Sequence, residues 1–558
     1  MERLHINMGN WQNLYKDIIK RKLCCMCGTC VGICPTNTIS ICNEKFIFES
    51  DKCISCSRCV DSCPGKSFDY KKYNQTLFNK KTDEISPILG SYISIHKGYS
   101  TDISIRGFGS SGGMASAVAC YLLKQGIVDG VIGIITEKDD NTSFKPAILR
   151  TAEEVCLAFG SKYTLVPTNK IINKILSTPG KYLYIGLPCQ IQGLQKAIEH
   201  TPHLRERIFM TISIFCGFNM ERKATEFLIG KSKILNIKTL QYRGIKNAET
   251  GFLITGHKGE EFFIDKHGYT LLNMFFSPER CWKCYDLTGE FADLSLGDAW
   301  ELKQGSRIII RTEKAKDIIL DMQDRGLIFI EDSSEEDIFQ TQSKLITYKK
   351  KDIAQRAKKL KSFPDYGIAF KAQLSKERVK AEFFLFCLKF CSSKFARGVL
   401  RLLPIRFTTA VSRVLRKDKK AKTDNFREVL RYGFWGVVTV LFSYLSYASL
   451  VMIGVEYRLS NLISLISTKI FAYLTNKHFV FKSKSDNVNK LLIELVRYVW
   501  TRGIVGVIDY FGLILFVEAF GINKMIGKGT MLFVTTVLNY FFGKKHVFKK
   551  DKVQGEIS

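Results

Sequence analysis

Two runs of cysteines near the amino terminus have the spacing that holds iron–sulfur clusters. The first run reads C-x2-C-x2-C-x3-C-P, and the second repeats it 29 residues later. In such runs the fourth cysteine binds the other cluster. The spacing therefore predicts two 4Fe–4S clusters, one on Cys24, Cys27, Cys30 and Cys63 and the other on Cys53, Cys56, Cys59 and Cys34.

Zinc is the alternative occupant of closely spaced cysteines. Structural zinc sites usually pair two C-x-x-C hooks or include histidine. No histidine lies between Cys24 and Cys63, and the two runs are copies of each other. The iron–sulfur interpretation is therefore preferred. Residues 15–72 resemble a bacterial two-cluster ferredoxin, which implies a ferredoxin-like α+β module that transfers single electrons.

Four further cysteines stand where they could share a third metal site. Cys189 and Cys216 each follow an apolar, strand-like run, and a short helix is predicted between them over Gln190–Ile198. The parallel strands of such a βαβ unit end at the same edge of a sheet, where open α/β sheets bind ligands. A C-x-x-C hook adds Cys281 and Cys284. Two ordinary buried cysteines and a chance hook remain the alternative.

A Ser/Gly-rich turn in the same region precedes an amphipathic helix. Free backbone amides at such a helix start can hold a phosphate, although an ordinary helix cap looks the same in sequence. The residues of the turn are Ser110, Ser111, Gly112, Gly113 and Met114.

Residues 20–350 resemble the coenzyme F-420 hydrogenase/dehydrogenase beta-subunit family. The motifs that carry the resemblance are Ser110–Gly113, Val128–Val131, Gly160–Tyr163, Leu187–Gln190, Cys281–Cys284, Ala292–Asp293 and Gly297–Asp298. The resemblance implies an α/β flavin domain at residues 85–350, with FAD and a third 4Fe–4S cluster on Cys189, Cys216, Cys281 and Cys284. It also implies that Ser110–Met114 face the FAD and that Lys162 lies near the isoalloxazine ring.

Length, cysteine content and charge indicate the number of domains, the compartment and the partners of the chain. At 558 residues it is too long for one core. The first 22 residues lack a secretory signal pattern, so the 18 cysteines are expected in a reducing compartment. The net charge of +30 is concentrated beside long apolar stretches, and no nucleic-acid motif occurs. We therefore expect a lipid bilayer as partner and no nucleic acid.

The C-terminal quarter has the pattern of a membrane domain. Residues 351–426 are predicted to form a linker, in which the basic, aromatic segment Glu382–Leu403 forms a helix on the membrane surface. Residues 427–550 are predicted to form an all-α domain with four transmembrane spans, and four buried soluble helices are the alternative. The predicted spans are Phe434–Ile453, Leu459–Leu474, Gly503–Ile522 and Met525–Phe542.

This quarter contains an internal repeat: each half begins with an arginine–tyrosine pair and ends in a basic, aromatic segment. Its hydropathy and repeat resemble the GtrA-like family, which implies a link to lipid-linked sugars and cell-surface polysaccharide. Basic residues cluster on one side, so both termini are expected in the cytoplasm. Lys469 and Asp509 lie inside predicted spans, where they either pair or reach toward the interface.

These observations predict a multidomain, multi-pass protein of the inner membrane whose redox domains lie in the cytoplasm. Its expected cofactors are three 4Fe–4S clusters and FAD. Its expected partners are a redox protein such as ferredoxin and a polyprenyl-linked sugar. The expected function is oxidoreduction in polysaccharide or lipid-linked sugar biosynthesis. A non-enzymatic electron relay or scaffold for lipid-linked sugars is the alternative, and use of coenzyme F-420 is a third possibility.

Overall fold

The computed structural model describes two compact units. In the first, Met1–Val414, the described residues are 10–299, 301–302, 304–370, 375–405 and 408–409. In the second, Leu415–Ser558, they are mainly 455–480 and 488–514, with scattered positions at 432–453 and 534–543. The ferredoxin-like module and the flavin domain predicted from the sequence both lie in the first unit.

An eight-stranded mixed sheet forms the centre of the first unit. Its order is β13-β3-β12-β11-β7-β6-β4-β5, and a separate antiparallel sheet has the order β10-β9-β8. A hairpin of β1 and β2 belongs to the ferredoxin-like module. The strands are β1 (Ile39–Cys42), β2 (Lys45–Phe48), β3 (Ser94–Ser100), β4 (Gly130–Thr136), β5 (Phe144–Leu149), β6 (Tyr182–Gly186), β7 (Ile208–Ile214), β8 (Ile237–Lys246), β9 (Glu249–Gly256), β10 (Glu261–Asp265), β11 (Leu294–Ala299), β12 (Gly305–Ile310) and β13 (Ile328–Asp332).

Helices cover the sheet and connect its strands. In the first unit they are α1 (Trp11–Asn13), α2 (Thr29–Gly32), α3 (Arg58–Asp61), α4 (Tyr70–Phe78), α5 (Ile103–Phe108), α6 (Met114–Lys124), α7 (Ala152–Leu157), α8 (Ile172–Ser177), α9 (Pro188–His200), α10 (His203–Arg207), α11 (Arg222–Ser232), α12 (Lys266–Leu271), α13 (Asn273–Phe276), α14 (Glu279–Trp282), α15 (Glu313–Asp324), α16 (Glu335–Ile346), α17 (Ile353–Lys359), α18 (Ser375–Cys391) and α19 (Lys394–Leu402). A π-helical turn, Thr347–Lys351, joins α16 to α17.

The parallel centre of the large sheet positions the third group of cysteines. Strands β4, β6, β7 and β11 run parallel, and α9 connects β6 to β7 as the sequence predicted. Pro188 begins α9 at a position where a missing N–H costs nothing. The Gln190 side chain accepts a hydrogen bond from the Leu187 N–H at 2.8 Å. Cys189 is thereby fixed at the first turn of the helix.

The ferredoxin-like module packs directly on the α/β domain. A Cβ at Gly32 would lie 2.0 Å from the Asn169 carbonyl oxygen, so the α2 backbone can approach this closely only with glycine. The Asn169 N–H donates to the Cys27 carbonyl at 2.8 Å, and the Asn169 side chain donates to Thr29 Oγ1 at 2.8 Å. The two parts are therefore fixed against each other.

The segment predicted to lie on the membrane surface forms two helices, α18 and α19, which break at Ser392–Ser393. Leu385 and Leu388 pack into a core with Trp282, and Leu400 packs into another core of the first unit. One face of this pair is thus buried against the rest of the first unit, whereas the sequence predicted one helix on a membrane surface. Its location at a membrane stays a prediction.

The described part of the second unit contains two helices, α20 (Tyr457–Thr475) and α21 (Val488–Ile514). Helix α20 covers the predicted second span, and α21 covers the start of the third. Parts of the first and third predicted spans, and most of the fourth, lie outside the described residues. Within the part that is described, no helix combines the length and apolar character needed to cross a bilayer. Lys469 is exposed, and the Asp509 side chain lies outside what is described.

Candidate redox centres and flavin cavity

The structure brings the ferredoxin-type cysteines together in the crossed sets that the spacing predicted. Cys34 lines one cavity with Cys53, Cys56 and Cys59, although about twenty residues separate it from them. In the other set, burial and the nearby Cys24 and Cys63 thiols raise the pKa of Cys30 well above its usual value. The grouping agrees with the prediction, while cluster binding by these residues remains a prediction.

Burial favours the neutral thiol at several of these cysteines. Burial raises the pKa of Cys59 to about 12, with Cys34 as the next contributor. Burial also raises the pKa of Cys24 and of Cys63. A bound metal reverses this preference because it deprotonates a coordinating thiol outright. Assembly of a cluster here would therefore release protons.

Sites for a single metal ion differ from cluster sites in the number of side chains that must meet at one point. Across the described residues, no three histidine, cysteine or acidic side chains converge to hold one metal ion. A 4Fe–4S cluster makes a different demand, because each of its four thiolates binds a different iron atom.

The third cavity contains the four other predicted cysteine ligands. Cys189 lies at the start of α9, Cys216 follows β7, and the hook begins with Cys281 inside α14 and ends with Cys284 just after it. The Cys216 N–H donates to the Leu287 carbonyl at 2.8 Å, which fixes the end of β7 beside the hook. All four predicted thiols line this one cavity: Cys189, Cys216, Cys281 and Cys284. The donor set fits a 4Fe–4S cluster.

The electrostatics of this third cavity are dominated by burial. Burial raises the pKa of Cys216 to about 12 and that of Cys281 to about 11. Three further residues that line the cavity were missed by the sequence reasoning: Cys25, Arg280 and Lys349. Arg280 directly precedes Cys281, but an arginine is not itself a cluster ligand, and Lys349 lies far from the hook in sequence. Only the Cys24–Cys25 pair offered a signal, since it places an extra thiol beside a predicted ligand.

Cys25 lies between the ferredoxin-like module and the third cavity. It hydrogen-bonds with Cys189 and with Cys27, and these contacts lower the pKa of Cys25 well below 9. Thus one residue touches a cysteine of the first predicted cluster and a cysteine of the third. The two predicted cluster sites are neighbours.

A large cavity of about 1140 Å³ opens beside the carboxyl edge of the main sheet. It is lined by the Ser/Gly turn, by the segment after α7, and by strands β8 and β9 of the smaller sheet. A Cβ at Gly107 or at Gly160, both on the wall, would meet no heavy atom within 4 Å. The backbone at these two positions is therefore open to a ligand, and the cavity fits a flavin in size.

Only part of the predicted flavin turn faces this cavity. Ser110 and Ser111 line it, and Ser110 Oγ accepts the Ser161 N–H at 2.7 Å. Gly112 and Gly113 instead shape the entry to α6, with φ of +51° and +71°. Met114 is 1% exposed and packs in the main core rather than on the cavity wall.

Lys162 lines the cavity, but its ammonium is held on the protein backbone. It donates to the carbonyls of Ala158, Phe159 and Gly160 at 2.6, 2.7 and 3.1 Å. A cation at the end of α7 also suits the helix dipole. Burial lowers the pKa of Lys162 to about 8, while the three carbonyl acceptors favour its charged form.

An ion pair that sequence reasoning did not find joins the two sheets at this cavity. Arg243 of β8 donates to Asp298 of β11 at 2.8 Å, and both line the wall. Asp298 belongs to a motif of the family resemblance, but nothing in the spacing pointed to Arg243. The pair fixes the smaller sheet over the cavity.

The third cysteine cavity and the large cavity adjoin through one segment. Residues 160–162 line the large cavity, and Leu165 and Val166 line the cysteine cavity. Between them, Asn219 donates to the Thr164 carbonyl at 3.0 Å. The order of sites in space is therefore the ferredoxin-type sets, the third cysteine set, and the large cavity.

Family models match the two parts of the chain separately. Residues 95–173 match the N-terminal family model of "Coenzyme F420 hydrogenase/dehydrogenase, beta subunit", and residues 180–336 match the C-terminal model of the same family. Residues 431–548 match "GtrA/DPMS, transmembrane domain". Both family resemblances are thus confirmed, and the chain joins an F420 hydrogenase/dehydrogenase beta-subunit-like oxidoreductase part to a GtrA/DPMS transmembrane domain.

Individual relatives match different parts of the chain. The coenzyme F420 hydrogenase subunit beta of Methanococcus voltae is 28% identical over 249 residues, which are 43% of this chain and 84% of that protein. The coenzyme F420-dependent sulfite reductase of Methanocaldococcus jannaschii is 27% identical over 325 residues, 56% of this chain and 47% of that protein.

The cell wall teichoic acid glycosylation protein GtcA of Listeria innocua serovar 6a is 28% identical over 131 residues, 23% of this chain and 90% of that protein. A chain in the solved F420-reducing [NiFe] hydrogenase complex from Methanosarcina barkeri is 22% identical and covers 49% of this chain and 93% of that chain, with a TM-score of 0.40.

Proposed function

We propose that this protein is a membrane-bound iron–sulfur flavoprotein oxidoreductase that passes electrons between ferredoxin-type 4Fe–4S clusters and FAD. The observation that carries the proposal is the succession of sites in one compact unit. Two crossed cysteine sets adjoin a third set, which adjoins a cavity large enough for a flavin.

The chemistry of such a chain depends on cofactors with different capacities. Clusters supply one-electron transfer, and a bound flavin supplies exchange between one and two electrons. The chain's own residues would hold these groups close together and keep water from the buried thiols. Asn169 and Cys25 support this role, since both join the ferredoxin-like module to the α/β domain.

Attachment to a membrane is the second part of the proposal. It is supported by the GtrA/DPMS match and by the GtcA relative. Helices α18 and α19 also expose large apolar side chains beside basic ones, among them Phe386 at 63% and Leu402 at 78% exposure. Such a surface suits the interface of an anionic bilayer. We propose that the redox unit lies on the cytoplasmic side.

The organic substrate is proposed to be a polyprenyl-linked sugar of cell-surface polysaccharide synthesis, with a small redox protein such as ferredoxin as the electron partner. The support is the fusion itself, which joins a redox unit to a domain type whose relative is named for teichoic acid glycosylation. The names of other relatives make coenzyme F-420 the second candidate acceptor.

Stopped-flow reoxidation tests the proposal. Full-length protein is purified without oxygen in detergent and reduced, and the flavin absorbance is followed after each candidate acceptor is added. A purified polyprenyl-linked sugar fraction should reoxidise the flavin faster than the same lipid without sugar. If only coenzyme F-420 reoxidises the flavin, coenzyme F-420 and not a polyprenyl-linked sugar is the acceptor. Reoxidation only by crude membranes would favour an electron relay or scaffold.

A further inference from the structure

Two buried cations line the third cysteine cavity without an acidic partner among the described residues. Lys349 is 1% exposed and Arg280 is 2% exposed. Arg280 donates to the Tyr366 hydroxyl at 3.0 Å and to the Pro64 carbonyl at 3.5 Å. A cation buried in a protein interior normally requires a counterion.

Lys349 aims its charge directly at a predicted cluster ligand. Its Nζ donates to Cys284 Sγ at 3.2 Å and to the Asp286 carbonyl at 2.6 Å. The next residue on the same π-helical turn behaves differently, because Lys350 forms a buried ion pair with the Glu290 carboxylate. Two adjacent buried lysines thus have different partners, one a carboxylate and the other a sulfur.

The sulfur atoms of the cavity account for the charge of Lys349. Lys349 Nζ lies 3.2 Å from Cys284 Sγ, and Cys216 and Cys281 line the same cavity.

Asp286 also lines the cavity, but its carboxylate accepts hydrogen bonds from Gln192 and from the backbone N–H groups of Gly289 and Glu290 and forms no ion pair with Lys349. Neutral thiols would therefore leave the ammonium without an ion-pair partner, whereas four thiolates on a cluster form an anion. The lysine therefore belongs with an occupied site.

We propose that Lys349 is a positioning residue that raises the reduction potential of the cluster held by Cys189, Cys216, Cys281 and Cys284. The inference rests on the proposed third cluster. On one-electron reduction the cluster gains one negative charge, and the electron comes from the neighbouring ferredoxin-type cluster, which is oxidised. The ammonium stabilises the added charge through its hydrogen bond to sulfur. The result is a favourable acceptor between the ferredoxin-like module and the flavin cavity.

The test is a redox titration of the full-length protein, followed by electron paramagnetic resonance. Lys349→Met removes the charge, and Lys349→Gln retains a hydrogen-bond donor without it. For Lys349→Met we expect the equilibrium constant for reduction of one cluster to fall at least tenfold, which corresponds to a potential about 59 mV more negative. Lys349→Gln should shift in the same direction, and Lys349→Arg should stay near the wild-type value.

Lys351→Met is the matched control, because Lys351 is on the same turn but exposed, with its ammonium over the Phe339 ring. It should leave all potentials unchanged. Unshifted potentials in Lys349→Met and Lys349→Gln, with iron retained, would overturn the inference. Loss of iron from both variants would also overturn it, since Lys349 would then be needed to hold the cluster. Wild-type protein with about eight irons instead of about twelve would refute the proposed third cluster itself.

Discussion

Filling the large cavity at Gly107 should weaken flavin binding without lowering the stability of the fold. Gly107 lies in α5 and lines the cavity, and a Cβ there would meet no heavy atom within 4 Å. Phenylalanine is favoured over glycine in a helix by about 0.5 kcal/mol, so Gly107→Phe should not lower the stability of flavin-free protein. The phenyl ring must then compete with the ligand for space.

The magnitude follows from the cost of overpacking. Forcing extra carbon atoms into filled space costs about 1–3 kcal/mol. For a cavity occupied by FAD this corresponds to about 5- to 140-fold weaker binding. Titration of flavin-free protein with FAD, followed by fluorescence, measures the Kd, and thermal melts of the same samples report Tm.

The matched control is Gly230→Phe. Gly230 is an exposed glycine in α11 whose Cβ would also meet nothing within 4 Å, and it does not line the cavity. We expect Gly230→Phe to bind FAD like the wild type. If Gly107→Phe keeps wild-type affinity and Tm, the cavity is not where the flavin binds, and the reasoning fails.

Three further predictions concern buried charges and thiols. Cys216→Ser should lose about four irons per chain, whereas Cys120→Ser, which changes a buried core cysteine, should lose none; iron analysis decides, and equal losses would contradict the third site. Burial lowers the pKa of Lys162 to about 8, so its positive charge is lost as the pH rises through 8. The affinity for FAD should therefore fall about fivefold between pH 7 and pH 9. Lys162→Met should show no such pH dependence in the same titration. Burial raises the pKa of Glu290 to about 7 despite its ion pair with Lys350. Lys350→Met should therefore lower the free energy of unfolding by about 3–5 kcal/mol at pH 8 and by less at pH 6, where Glu290 is protonated. Equal losses of Tm at both pH values would refute this.

The parts of the candidate sites that could be predicted from the sequence are those that cysteine spacing marks. The separation of ligands within each run is a local property, so the crossed grouping of Cys34 with Cys53, Cys56 and Cys59 was predictable. The βαβ unit around Cys189 was predictable for a similar reason, because two apolar runs and a short helix leave few ways to connect the strands.

The other residues that line each site are brought there by contacts between segments that are distant in sequence. Lys349 reaches the third cavity from a distant π-helical turn, and no repeat or spacing marks it. Arg280 precedes the hook directly, but its burial in the cavity depends on tertiary packing. Likewise, the smaller sheet that carries Arg243 covers the large cavity through tertiary packing. The burial of α18 and α19 against the redox unit was missed because an apolar helix face looks alike whether protein or membrane covers it.

Cofactor content tests the central claim most directly. Full-length protein purified without oxygen should contain about twelve irons, about twelve acid-labile sulfides and one FAD per chain, as three 4Fe–4S clusters and one flavin require. About eight irons and no flavin would contradict the account, because the third cysteine set and the large cavity would then serve some other purpose.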